Sequence, residues 1–168
     1  VAAVVVARAV RALLPAYPTW KILRLLPHER NLHALEGLLR RLALTPHREL
    51  LILRGSLLLR SYCPRMPRHP ADLDFLVLHA NDEEISLQMV RSICSIDRIG
   101  DGLEFDAGNL TSVRHWTETE NPGLKLAVPY RLHGDEVWSS ISIDLGWGDP
   151  VSPAPKSVAM AAVLGPPV

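Results

Sequence analysis

The chain has 168 residues, of which 48% are hydrophobic and 21% charged, enough for one domain with a substantial core. Lys and Arg together number 18, as do Asp and Glu, so no bulk basic field argues for nucleic-acid coating. The two cysteines, Cys63 and Cys94, fall in different elements without metal-type spacing; this predicts reduced structural thiols and nothing that demands an oxidising compartment.

The opening VAAVVVARAVRALL predicts a helix over residues 1–14, ended by Pro15 and Pro18. Arg8 and Arg11 interrupt its apolar run, which falls short of the ~20 residues a bilayer span needs. No basic lead-in or cleavage site marks a leader, so the reading is a surface-lying helix on a cytosolic protein with no membrane partner. The first residue is Val rather than Met, which fits a non-standard start codon or a truncation.

After Pro27, the helical spacing of Leu32, Leu35, Leu38, Leu39 and Leu42 predicts an amphipathic helix over 28–42. Glu29, Arg30, Arg40 and Arg41 are expected on its wet side. Leu50–Leu53 reads as a buried strand, Ser56–Tyr62 as a short helix, and the Pro-rich 63–70 stretch as a loop. Asp72–Leu78 reads as a central strand, apolar on both faces after its two aspartates. Asn81 or Asp82 can cap a helix that runs to about Ser95. Residues 105–109 read as a turn-rich approach, followed by strands at 110–118, 124–132 and 137–145. Asn121-Pro122-Gly123 and His133-Gly134-Asp135 break those strands, the latter with hairpin-loop chemistry. Helices followed by a mixed sheet led by strand-helix-strand-helix give the class α/β (α+β), in one domain over 1–168: helices at 1–49, core at 50–155, tail at 156–168.

Three aspartates carry the chemistry. Asp72 and Asp74 are i and i+2 on a strand, so both side chains share one face with Cα atoms roughly 6.5 Å apart. Asp144 lies in a similar alternation, with Ile141, Ile143 and Leu145 directed inward and Ser142 and Asp144 on the opposite face. If the two strands are neighbours, the carboxylates converge, and hard oxygen ligands favour Mg²⁺ or Mn²⁺ over Zn²⁺. The plainer alternative is that Asp72 and Asp74 simply begin a strand after a loop. Upstream, Gly55 lets backbone approach a phosphate, the following helix start offers free N–H groups, and Ser56 adds a hydroxyl. The Gly-x4-Gly-Lys pattern of a P-loop is absent, and a strand-to-helix turn capped by Ser56 is the plainer reading.

Gly55-Ser56, Asp72-Leu73-Asp74 and the later Asp144 resemble the nucleotidyltransferase signature of the DNA polymerase β superfamily. LILRGSLLLRSY, HPADLDFLVL, DGLEFDAGNL and ISIDLGWGDPVSPAP are similar to the AbiEii/AbiGii toxin-type nucleotidyltransferases of toxin–antitoxin and phage-defence systems, over roughly Glu29 to Pro155. The resemblance implies a mixed sheet flanked by helices, with Mg²⁺ (or Mn²⁺) on the catalytic Asp72 and Asp74, and with catalytic Asp144 as the third metal ligand or as a group that helps activate the attacking hydroxyl. It implies that Arg54, Gly55 and Ser56 bind a nucleoside triphosphate whose NMP goes to an acceptor, in some members a tRNA end. It also implies an antitoxin partner. Arg54-Gly55-Ser56 stands where many relatives carry Lys-Gly-Gly. The family's downstream helical region, with its Lys-rich and Arg/Asp-containing motif, has no visible counterpart after Lys156, so that C-terminal helical part is expected to be missing. The alternatives are a truncated, non-catalytic member of the same fold that binds nucleotide or a partner, and a metal-dependent phosphohydrolase using the same carboxylates. The seven histidines are scattered without His-x3-His spacing and read as surface or loop residues. Trp147, between two glycines beside Asp144, could line the nucleotide pocket or pack in the core.

Overall fold

The computed structural model describes residues 24–63, 68–97, 99–115, 122–152, 154–157, 160 and 162–164. The expected helix over 1–14 lies outside these residues.

Pro27 opens the first described helix, α1 (Pro27–Ala43), where its missing N–H costs nothing and its fixed φ suits the first turn. Leu32, Leu35, Leu38, Leu39 and Leu42 are buried along it, as the spacing predicts. The expectation of a wet side containing Arg40 and Arg41 is corrected: both are buried, with His33 and Glu36. Arg41 is tolerated there because all of its N–H groups find acceptors. Nη1 and Nη2 donate to the two oxygens of Asp101 (2.6 and 3.2 Å), and the rest donate to the carbonyls of Ile96, Gly37 and Leu103. A spacing count registers charge, not a distant buried partner, so this pinning of the 96–103 segment onto α1 was invisible to it.

A 3-10 turn (Pro46–Glu49) leads into β1 (Leu51–Arg54), then α2 (Gly55–Tyr62), β2 (Asp72–Val77) and α3 (Glu83–Cys94). Asp82 caps α3 by accepting the Ile85 N–H at 3.0 Å. The expected turn-rich approach at 105–109 in part belongs to a short strand, β3 (Leu103–Phe105), whose period is too brief to read. β4 (Thr111–His115), β5 (Gly123–Leu132) and β6 (Ser139–Gly146) follow.

The six strands form one mixed sheet in the order β1-β2-β6-β5-β3, with β4 also pairing β5. β2 and β6 are parallel; every other pair is antiparallel. β2 is interior, flanked by β1 and β6, in keeping with its apolar faces. On one face Leu53, Leu73, Phe75, Leu126, Ile143 and Leu145 join the apolar stripes of α1 and α3 in one buried cluster. That burial is the main term holding the layers together, at roughly 25 cal/mol per Å² of apolar surface removed from water. The strand period of two turns the intervening residues, Asp72, Asp74, Ser142, Asp144 and Lys125, to the other face, where none is fully buried.

Candidate active site

Register builds the site. β2 and β6 pair so that Asp74 stands opposite Asp144 and Asp72 opposite Ser142. β1 and β5 extend the same row outward: Arg54 opposite Asp74, and Lys125 opposite Asp144. The row Arg54, Asp74, Asp144, Lys125 therefore crosses four adjacent strands on one face, with Asp72 two residues along from Asp74.

One carboxylate oxygen from each of Asp72, Asp74 and Asp144 lies within 4.8 Å of the others. Lys125 Nζ donates to Asp144 at 3.1 Å. Neither Asp72 nor Asp74 has a hydrogen bond or ion pair among the described residues. Burial holds the Asp74 carboxyl above the ordinary carboxylate range, and repulsion from Asp72 and Asp144 adds to it, while Arg54 and Lys125 pull the other way. A cluster with repulsion only partly offset by two cations and with an all-oxygen donor set fits a hard divalent cation. Asp72, Asp74 and Asp144 could hold it.

The turn into α2 closes on the same spot. Gly55 takes φ +72°, and a Cβ there would stand 1.7 Å from Asp74 Oδ2. Only glycine satisfies both the left-handed backbone and the contact. The α2 start, with its free N–H groups, thus lies directly against Asp74. Ser56 Oγ is buried and has no hydrogen-bond partner among the described residues. Arg54, the residue before the turn, does not pair with Asp74; its Nη1 donates to Asp149 in the chain beyond β6.

The structure thus brings Arg54, Gly55, Ser56, Asp72, Asp74 and Asp144 to one patch. With this geometry in place, comparison with known proteins is decisive on one point. A family described as "Nucleotidyl transferase AbiEii toxin, Type IV TA system" matches residues 37–167. The chain belongs to this family. The match to the AbiEii family spans Gly55, Ser56 and all three aspartates and runs past Pro155, further than the motif resemblance reached. No curated protein and no solved structure matches the chain. As an AbiEii member it falls among nucleotidyl transferases of type IV toxin–antitoxin systems, and no helix among the described residues is long and apolar enough to cross a membrane.

Sequence reasoning missed Lys125 and Asp149. Lys125 is one of three lysines in the chain and sits in the alternation Leu124-Lys125-Leu126, which puts it on a face but names no partner. Only the β5–β6 register sets it against Asp144. Trp147 is buried in the main cluster, its ring edge-on to His79 with centroids 6.2 Å apart. His69 stacks on His28, with ring centroids 4.1 Å apart.

Proposed function

We propose that this chain is a Mg²⁺-dependent (or Mn²⁺-dependent) nucleotidyltransferase that moves an NMP from a nucleoside triphosphate to an acceptor hydroxyl, with a tRNA end as the acceptor: the hydroxyl oxygen bonds the α-phosphorus and the α–β bond breaks to release pyrophosphate. It acts in the cytoplasm as the toxin of a pair whose partner is an antitoxin protein, and 1–168 works as one domain. The observation that carries the reading is the convergence of three carboxylates on the Gly55–Ser56 turn.

Asp72, Asp74 and Asp144 would hold the divalent ion, which when bound supplies charge neutralisation for a triphosphate beside three carboxylates. The chain's own groups do the rest. Gly55 and the α2 amides receive phosphate oxygens at close range. Ser56 Oγ, buried without a partner among the described residues, donates a further hydrogen bond to them. Arg54 places a cation at the edge of the phosphate site. Lys125 fixes Asp144 through the 3.1 Å contact and offsets part of the negative charge. Catalysis by such a site is positioning plus electrostatics rather than covalent chemistry by the protein.

The test is incubation with each labelled nucleoside triphosphate, Mg²⁺ and bulk tRNA. Label should pass to tRNA from at least one nucleotide and be abolished in Asp74→Ala. Absence of transfer from all four nucleotides, with the protein folded, would overturn the reading. Release of phosphate without an acceptor would indicate a phosphohydrolase instead.

A further inference from the structure

Arg54 and Asp74 are cross-strand neighbours on an antiparallel pair, with both side chains on one face. Opposite charges so placed ordinarily form a salt bridge. Lys125 and Asp144 do so one strand further along. Arg54 does not. Its guanidinium passes over β2 and lies against β6, where Nη2 would be 2.9 Å from a Cβ added to Gly146. There Nη1 donates to Asp149 Oδ2. Gly146 is the clearing that lets the side chain through, and Asp149 is the anchor at its end. Asp149 lies past the last residue of β6, in a segment without ladder hydrogen bonds.

We propose that Asp149 is a positioning residue that draws Arg54 off Asp74 and so keeps Asp72 and Asp74 free for a divalent cation. Without Asp149 the guanidinium is left with its register partner Asp74, whose carboxyl already feels its charge, and a guanidinium seated there competes with the ion for the same oxygens. Charge balance points the same way. Asp72, Asp74, Asp144 and Asp149 set against Arg54 and Lys125 leave an excess of two negative charges, which one divalent ion matches. Arg54 is held at the rim as a cation for phosphate rather than spent on a metal ligand. The Arg54 and Asp149 side chains are 33% and 41% exposed, so the pair can exchange when a ligand arrives.

The inference rests on the metal site proposed above, and Mn²⁺ binding to the metal-free protein, followed by calorimetry or spin resonance, separates the two. Asp149→Asn should weaken Mn²⁺ binding by about three- to tenfold, because the freed guanidinium falls onto Asp74. Arg54→Gln should bind Mn²⁺ at least as well as wild type. The double variant Arg54→Gln/Asp149→Asn should recover wild-type affinity, a rescue that a merely structural role for Asp149 would not produce. If Asp149→Asn does not fold, Arg54→Lys reads the same effect, since the shorter ammonium cannot span β2 and should weaken Mn²⁺ binding in its turn. Absence of Mn²⁺ binding in wild type and all variants overturns the metal site itself and the inference with it. Binding in wild type that Asp149→Asn leaves unchanged, or a loss that the double variant does not rescue, overturns only the role of Asp149.

Discussion

Asp74 on β2 and Asp144 on β6 are direct register partners in a parallel ladder, so two carboxylates stand side by side with a third, Asp72, within 4.8 Å. Like charges directly opposed across strands destabilise a sheet. The arrangement therefore costs the metal-free protein stability. Asp74→Asn should raise the melting temperature of the metal-free protein slightly. Mg²⁺ should stabilise wild type by about 2.7 kcal/mol at a hundredfold excess over its dissociation constant and so raise its melting temperature, and should do much less for the variant. Thermal melts with and without Mg²⁺ check both. A wild-type melt indifferent to Mg²⁺ would count against the cation site.

The Gly55 contact predicts a sharp contrast between two glycines. At Gly55 an alanine meets a left-handed φ of 72° and a Cβ position 1.7 Å from Asp74 Oδ2. Gly55→Ala should cost about 1–2 kcal/mol from the backbone alone, more from the clash, and at least about tenfold in nucleotide transfer. At Gly146 the nearest atom to a new Cβ is Arg54 Nη2 at 2.9 Å, the far end of a flexible side chain. Gly146→Ala should leave stability within about 0.5 kcal/mol of wild type. Urea unfolding midpoints separate the two; equal effects would mean the turn is not held against Asp74.

These contrasts show what the sequence could and could not disclose. Alternation placed Asp72, Asp74 and Asp144 on the non-core faces of their strands before any pairing was known, because a side-chain period of two depends only on local geometry. The leucine spacing of 32, 35, 38, 39 and 42 located α1 for the same reason. What stayed hidden was everything set by register and distance. Arg40 and Arg41 were expected in water, since nothing near them in sequence announces Asp101 or the Leu164 carbonyl that Arg40 reaches. Lys125 joined the site only through the β5–β6 register, and Asp149 only through the reach of Arg54 beyond the end of β6. β3 escaped because three residues carry no readable period.

The buried Arg41–Asp101 pair should behave as a structural clasp rather than a functional one. Both side chains are 1% exposed, and Asp101 Oδ1 also accepts the Leu103 N–H at 3.2 Å. Arg41→Ala removes one partner and leaves a carboxylate buried without its cation. The expected loss is about 3–5 kcal/mol, read from denaturant unfolding. Arg41→Met together with Asp101→Leu should recover much of that loss, since a well-packed apolar pair need not be less stable than a buried ion pair. A loss below about 1 kcal/mol for Arg41→Ala would show that the 96–103 segment is anchored by other means.

Glu36 gives the protein a pH dependence of definite sign. Its carboxylate oxygens accept the Val163 N–H at 3.0 and 3.2 Å, and its side chain is almost fully buried. Burial pushes its pKa up to about 7 from an ordinary 4.5; the Val163 amide, Arg40 and Arg60 oppose that rise without cancelling it. The folded state thus holds this proton more tightly than the unfolded chain. The stabilising contribution is complete below about pH 4.5 and is lost as pH rises through about 7, above which an ionised carboxylate remains buried. Glu36→Gln keeps an acceptor for Val163 and cannot ionise. Relative to the variant, wild type should lose stability between these limits, on the order of 3 kcal/mol in all. Melting curves of both proteins from pH 4.5 to pH 8 test it. Curves that stay parallel across that range would mean that Glu36 keeps an ordinary carboxylate pKa in the fold, with Arg40, Arg60 and the Val163 amide fully offsetting its burial.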